Sequence, residues 1–363
     1  MNREIWIDGT CAAVSEDGRL VEYMPCSGSD AGSIIIGKAG RIMKDLGCAF
    51  VEIGRRKAGF LPLVENGNSF CGGGFTSGDM IPVQIKKVET GEKGAFLTRD
   101  ISLAGSYTIV MPMNRHIGVS SRIEDPAARE KLIDIGNRIA GGRFGIVIRA
   151  AGAGTAENDI AEEAGRLFTE WETLKAEFAK GGPPGKILFG GSPAEQLIRD
   201  YDPRGIDRII RGELSADLKR QLRDAESRTV RLPHGGNIVI DRCEAMTVID
   251  VNSASDSERA GRRETIRRTN IEACREICTQ TRLRNLSGII IIDLINMDSR
   301  EDEEQMLHEL KECFSRDRVK TVIHGMTSLG LVEMTRKRTS SDLFSRTMEP
   351  CSGCGGLGYV RRK

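Results

Sequence analysis

Two apolar runs along the chain each end in an aspartate. Met246-Thr247-Val248-Ile249 leads into Asp250, and Gly288-Ile289-Ile290-Ile291-Ile292 leads into Asp293. Runs of this kind, without polar alternation, predict strands buried on both faces. Residues 264 to 282 between them are long enough for a crossover helix, which makes the two strands parallel and brings both carboxylates to one edge of a sheet. That carboxyl edge is where open α/β sheets bind ligands. Downstream, Met306, Leu307, Leu310, Cys313 and Phe314 share one face of a helix predicted over 301–315. Strands are predicted at 320–324 and 330–335.

The first third of the chain has a different pattern. Residues 1–25 predict a hairpin around Asp17-Gly18, joining Glu4-Ile5-Trp6-Ile7 to Leu20-Val21-Glu22-Tyr23. Five short strands follow, at 34–37, Cys48 to Ile53, Gly59 to Leu63, Met80 to Val88 and Gly94 to Ser102, which with Gly-rich turns fit a small OB-like barrel. Residues 106–180 run from mixed strand into a helix over 157–180. Gly181-Gly182-Pro183-Pro184-Gly185 reads as a linker. Residues 186–230 read as mostly helical, and the chain returns to strand near Ile238-Val239-Ile240.

Length and charge narrow the picture. At 363 residues the chain exceeds one ordinary core and predicts two to four domains. The 53 Lys+Arg nearly cancel the 52 Asp+Glu, so any surface for a polyanion must come from local clustering. No apolar run approaches the roughly 20 residues of a membrane span, and the polar start at Asn2-Arg3-Glu4 does not read as a signal peptide. Ten dispersed cysteines suit reduced thiols and a cytoplasmic location.

The candidate chemistry sits at the strand ends. Asp250 and Asn252 are two apart and face the same way along a strand, and Asp293 meets them from the neighbouring strand. Hard oxygen donors of this kind suit Mg²⁺ together with substrate phosphate oxygens. An aspartate closing a strand also serves simply as a helix cap or turn former. Cys351-Ser352-Gly353-Cys354, trailed by Gly355-Gly356, forms a knuckle able to supply two of the four thiolates a structural zinc requires. His324, a dispersed cysteine or a second copy of the chain completes the set, and the knuckle's place near the chain end favours the second copy. Cys274 and Cys278, at i and i+4, read as core residues more than ligands. Arg259, Arg262, Arg263, Arg267 and Arg268, with Arg336-Lys337-Arg338, are basic clusters that either hold phosphates or form solvated faces. Phe50 and Phe60 flank Arg55-Arg56-Lys57; aromatics beside cations suit stacking on single-stranded bases, and the plainer reading places one or both in the core. The four histidines show no paired arrangement.

Three blocks carry a family resemblance. Glu244 through Asp250 and Asn252 to Ser253, Thr269-Asn270-Ile271-Glu272-Ala273 with Leu283 through Asp293, and Gly330-Leu331-Val332-Glu333-Met334-Thr335-Arg336 resemble the ribonuclease E/G family in order and spacing. The likeness is dense from about 228 to 358 and weaker around Phe50, Phe60 and Ile101 to Tyr107. It implies an α/β multidomain chain with ribonuclease H-like and deoxyribonuclease-like α/β subdomains, an inserted OB-fold β-barrel and a C-terminal zinc-link. On this pattern 1–33 begins the ribonuclease H-like subdomain, 34–105 is the barrel, 106–185 the 5′-sensor, 186–243 the rest of the ribonuclease H-like part, 244–345 the catalytic subdomain and 346–363 the zinc-link.

The activity implied is Mg²⁺-dependent endonucleolytic cleavage of single-stranded, A/U-rich RNA in processing or decay, leaving 3′-hydroxyl and 5′-phosphate ends. The resemblance gives Asp250 and Asp293 the metal and Asn252 their support. It gives Phe50, Phe60 and Lys93 RNA contacts in the barrel, and Arg149 with the backbone around Val119 a 5′-monophosphate contact. Cys351 and Cys354 take a Zn²⁺ shared with a second protomer in a homodimer. Ala150 replaces the threonine of the family's phosphate sensor, which should weaken 5′-monophosphate preference by about 1 kcal/mol, the net worth of one hydrogen bond. Asn296 stands for a second aspartate and Ser352 for a proline. The chain ends at Lys363, before the small domain that follows the zinc-link in the family, so a dimer without tetramer assembly is expected. A non-catalytic RNA-binding protein on the same scaffold is the competing reading.

Overall fold

The computed structural model describes residues 2–25, 31–65, 68–69, 74–89, 93–190, 193–201, 205–253, 261–297, 299–349 and 351–354. Arg259 and Gly355-Gly356 lie outside the described residues, and of Arg262 only the backbone is described. The chain forms two compact units, one made of Met1–Asp8, Ala13–Tyr23 and Arg211–Lys363, the other of Gly9–Ala12 and Met24–Ile210.

The first unit is organised by a six-stranded sheet in the order Thr229–Arg231, Asn237–Arg242, Met246–Asn252, Gly288–Asp293, Leu331–Arg336, Thr321–Met326. Met246–Asn252 and Gly288–Asp293 run parallel, joined by the crossover helix Arg262–Leu283 as the sequence predicts. Their neighbours pair antiparallel. The outer strand Thr321–Met326 carries a register shift between Ile323 and Gly325. The helix ends on Asn285, whose positive φ of 50° lets the Leu286 N–H reach back to the Thr281 carbonyl at 2.9 Å and turns the chain into the second aspartate strand.

The expectation of strands buried on both faces fails. Ile290 and Ile292 are fully buried beneath the helices Arg262–Leu283 and Arg300–Ser315, together with Ile249, Ile277, Met306 and Leu310. On the other face Ile289 is 46% exposed and Met246 37%. Helices cover one face of this sheet and leave the other open, so an unbroken isoleucine run does not mean two covered faces.

The N-terminal strands also differ from the predicted hairpin. Arg3–Ile7 neighbours Cys11–Glu16, which neighbours Arg19–Pro25, so a third strand lies between the two segments expected to pair. Asp17 and Gly18 do form the turn, with φ of 50° and 77°. Positive φ at both positions matches the twist of a two-residue hairpin. Glu16 is half-buried on this sheet and accepts from Arg3 at 3.0 Å and from Arg282 of the crossover helix at 3.1 Å. Burial alone would raise its pKa, but the Arg282 and Arg3 guanidiniums outweigh it and hold the carboxyl below its ordinary value.

The second unit contains the barrel. Ile34–Met43, Cys48–Glu52, Gly59–Pro62, Phe96–Thr98 and Met80–Lys87 pair in that order, and Ile34–Met43 closes onto Met80–Lys87. Its interior holds Val51, Leu61, Val83, Ile85 and Leu97. Ile187–Phe189, read as helical, instead adds a short strand to Ile34–Met43. The Gly-Pro segment before it is no loose linker. A Cβ on Gly185, at φ 89°, would lie 2.6 Å from the Ile53 carbonyl oxygen, so the two backbones touch where only glycine fits. Beyond the barrel, strands Leu103–Ala104, Thr108–Met111, Gly145–Ile148 and Ile117–Val119 form a second sheet, backed by the helices Pro126–Ala140 and Glu157–Ala179. Half-buried Glu163 ties them: its carboxylate accepts from the Ser106, Tyr107 and Thr108 amides at 2.7–2.8 Å.

Candidate active site

Asp250 and Asp293 are direct register partners on the two parallel strands. Adjacent strands lie about 4.8 Å apart, so the two carboxylates leave the sheet side by side. Both are exposed, on the open face, one position beyond buried Ile249 and Ile292. The Asn252 amide donates to Asp250 Oδ2 at 2.8 Å, which fixes that carboxylate and leaves the Asn252 carbonyl oxygen as an acceptor. Among the described residues no cation pairs with either aspartate, and none forms a group of three or more His, Cys, Asp or Glu side chains with metal-binding spacing. The donor set is therefore two carboxylates and an amide oxygen. Mg²⁺ commonly takes one or two carboxylates and fills its remaining positions with water and phosphate oxygen, so these residues fit it.

Asn270, to which no role is assigned from sequence, positions this edge. Fully buried on the crossover helix, it donates to the Ile295 carbonyl at 2.8 Å and accepts from the Ile295 amide at 3.1 Å. A side-chain amide satisfying both backbone groups of one residue fixes the loop two positions past Asp293. His234, in the turn that brings Asn237 opposite Asn252, contacts the Glu272 carboxylate through Nδ1.

The basic clusters separate into two kinds. A groove of about 580 Å³ between the first turns of the helices that follow the two aspartate strands is lined by Arg263, Glu264, Arg267, Asp302 and Gln305. There Arg263 pairs with Asp302 at 2.8 Å and Arg267 with Glu264 at 3.1 Å, so each arginine sits beside its own acid. Arg336 is different and corrects the expectation of a phosphate cluster near the metal. It is 3% exposed, bonded to Asp317 at 2.7 Å and to the Leu286 carbonyl at 3.0 Å. It pairs with Gly288, at the opposite end of the strand from Asp293.

Cys351 and Cys354 occupy a turn, with Cys351 exposed. Hydrogen bonds from the Cys354 and Gly353 amides hold the Cys351 thiol below its ordinary pKa, favouring thiolate. Cys274 and Cys278 lie in the core, where burial pushes Cys278 up to about 12 and Cys274 higher still, so they remain neutral thiols.

In the second unit, Phe50 and Phe60 are register partners facing outward, with Phe50 38% exposed and the interleaved Val51 and Leu61 inside. Neither ring belongs to the barrel core. Their centroids lie 6.2 Å apart, edge to face. Lys93 is exposed just before the strand that follows. Arg149 donates to the Gly105 carbonyl and pairs with Asp200 at 3.0 Å. Val119 pairs with Ile148, and the Ser120 amide already donates to the Ile148 carbonyl at 2.8 Å.

The Ribonuclease E/G family model matches residues 102–216 and 214–339. Ribonuclease G of Salmonella typhimurium is 34% identical over 379 residues, covering 91% of this chain and 77% of that protein. Ribonuclease G of Escherichia coli K12 is 34% identical over 378 residues with the same coverage. Ribonuclease E of a Synechocystis species is 32% identical over 393 residues, covering 96% of this chain and 58% of that protein. The strand-end aspartates fall inside the matched segments, and the chain belongs to the ribonuclease E/G family as an endoribonuclease.

Proposed function

We propose that the chain is a Mg²⁺-dependent endoribonuclease acting on single-stranded, A/U-rich RNA in RNA processing or decay, with 3′-hydroxyl and 5′-phosphate products. The observation that carries this reading is the in-register pair of exposed carboxylates, Asp250 and Asp293, with Asn252 bonded to the first. Bound there, the ion supplies Lewis acidity toward a phosphate oxygen and a coordinated water of lowered pKa. Asp250 and Asp293 hold the ion, Asn252 keeps Asp250 oriented, and Asn270 keeps the loop after Asp293 in place.

The barrel's outward rings, Phe50 and Phe60, with Lys93, hold the single strand by stacking and charge. Cys351 and Cys354 provide half of a zinc site completed by a second copy, which makes the working form a homodimer. The 5′-sensing role of Arg149 and the Val119 backbone is weak in this chain. Ala150 lacks a hydroxyl, and the Asp200 carboxylate already occupies the guanidinium where a phosphate would bind. The division of the chain into barrel, sensor, catalytic and zinc-link segments follows the family pattern.

A 5′-labelled A/U-rich oligonucleotide incubated with the purified protein tests the proposal. Mg²⁺-dependent internal cuts that EDTA abolishes are expected, with ligatable 5′-phosphate products. Cutting that persists in EDTA, or 2′,3′-cyclic phosphate ends, sinks it.

A further inference from the structure

A third ring stands beside the two already described. Phe96 is the parallel register partner of Phe60 and the antiparallel partner of Lys87, so Phe50, Phe60, Phe96 and Lys87 form one row across four neighbouring barrel strands. The Phe60 and Phe96 centroids are 5.6 Å apart with their planes inclined by 33°. Alternation places Phe96 outside, since Ala95 and Leu97 on either side are fully buried. Lys87 is exposed, and its Nζ lies 5.9 Å from the centre of the Phe96 ring.

We propose that Phe96 and Lys87 extend the stacking surface of Phe50 and Phe60, so that the barrel holds one more nucleotide of single-stranded RNA than those two rings alone. This rests on the proposal that the barrel binds RNA. The ring supplies a flat π-face that accepts any base, and a lysine on a long flexible stem moves from the ring to the phosphate of the nucleotide stacked there. Aromatic and cation therefore sit together at the end of the row, where the backbone continues past the barrel. A role in barrel packing alone explains an outward phenyl less well. The barrel interior is filled by Leu97, Ile85 and Val83, and a ring serving only to cover apolar surface needs no exposed ammonium above it.

The test measures binding of the full chain to fluorescent oligouridylates of increasing length, with EDTA present to prevent cutting. Phe96→Leu, which keeps apolar bulk but removes the π-face, should weaken binding on the order of tenfold, the loss of one stacked base. It should also shorten by one nucleotide the length at which affinity levels off. Phe96→Tyr should restore both. Lys87→Gln, a surface change, should lower the slope of log affinity against log salt by about one. If Phe50→Leu weakens binding while Phe96→Leu and Lys87→Gln leave affinity, length and salt slope unchanged, the track ends at Phe60 and the inference is wrong. If none of the three matters, the RNA-binding role of the barrel fails with it.

Discussion

The two ends of the central strand pair carry charge in opposite ways. At one end Arg336 and Asp317 form a two-point ion pair with side chains 2% and 0% exposed. At the other, Asp250 and Asp293 stand exposed and side by side with the same sign. A buried pair with its hydrogen bonds satisfied belongs to the architecture, and removing one partner strands the other in a dry interior. Two like charges on neighbouring strands cost stability unless a cation offsets them. The proposed metal site would supply that cation, turning a cost to the fold into a binding position.

The largest effect expected from this contrast is on rate. Asp293→Asn should slow RNA cutting on the order of a thousandfold or more, as loss of several kcal/mol of metal-borne stabilisation implies. The same variant should melt no lower than the parent, because one repulsive charge is gone. A lowered melting temperature would break the comparison.

Asp317→Ala should do the reverse, destabilising the first unit by about 3–5 kcal/mol because Arg336 stays buried without its carboxylate. A urea midpoint shift worth under 1 kcal/mol would show that the pair contributes nothing structural. Asn270→Ala lies between the two ends. It should cost about 1–3 kcal/mol by leaving the Ile295 backbone unsatisfied, and slow cutting beyond what the lost folded fraction accounts for. A rate that tracks folded fraction alone would place Asn270 on the architectural side.

The smallest effect concerns pH. Glu16, half-buried and held by Arg282 and Arg3, has a depressed folded-state pKa, so its contribution is complete above the ordinary carboxylate value of 4.5 and is lost as pH falls toward the lower folded value. Glu16→Gln should therefore flatten the acid limb of the stability curve, read by thermal melts between neutral pH and about pH 3. An unchanged acid limb would contradict that.

Much of this contrast was legible in the sequence, and the remainder depended on distance along the chain. Asp250 and Asp293 were recognisable because each strand announces itself locally by its apolar run. The helix Pro126–Ala140 lies in a stretch whose sequence reads as mixed strand, although Asp125, Pro126 and Gly141 mark its cap, first turn and left-handed end. Arg336 read as part of a basic patch because Arg336-Lys337-Arg338 shows composition and hides the strand alternation that turns Arg336 inward to an acid 19 residues away. Phe96 carries no local signal, because its place beside Phe60 exists only once the barrel closes. Whether the isoleucine run is covered on one face or two depends on helices elsewhere in the sequence.

The kink in the outermost strand has a consequence for handling the protein. A half-covered sheet with Ile289, Met246 and Val322 accessible invites other chains to add strands at its rims and grow fibres. One rim is Thr229–Arg231, only three residues long, and the other is interrupted at Ile323–Gly325. Neither offers a long flat ladder, so concentrated solutions should resist strand-on-strand precipitation even though the apolar face is open.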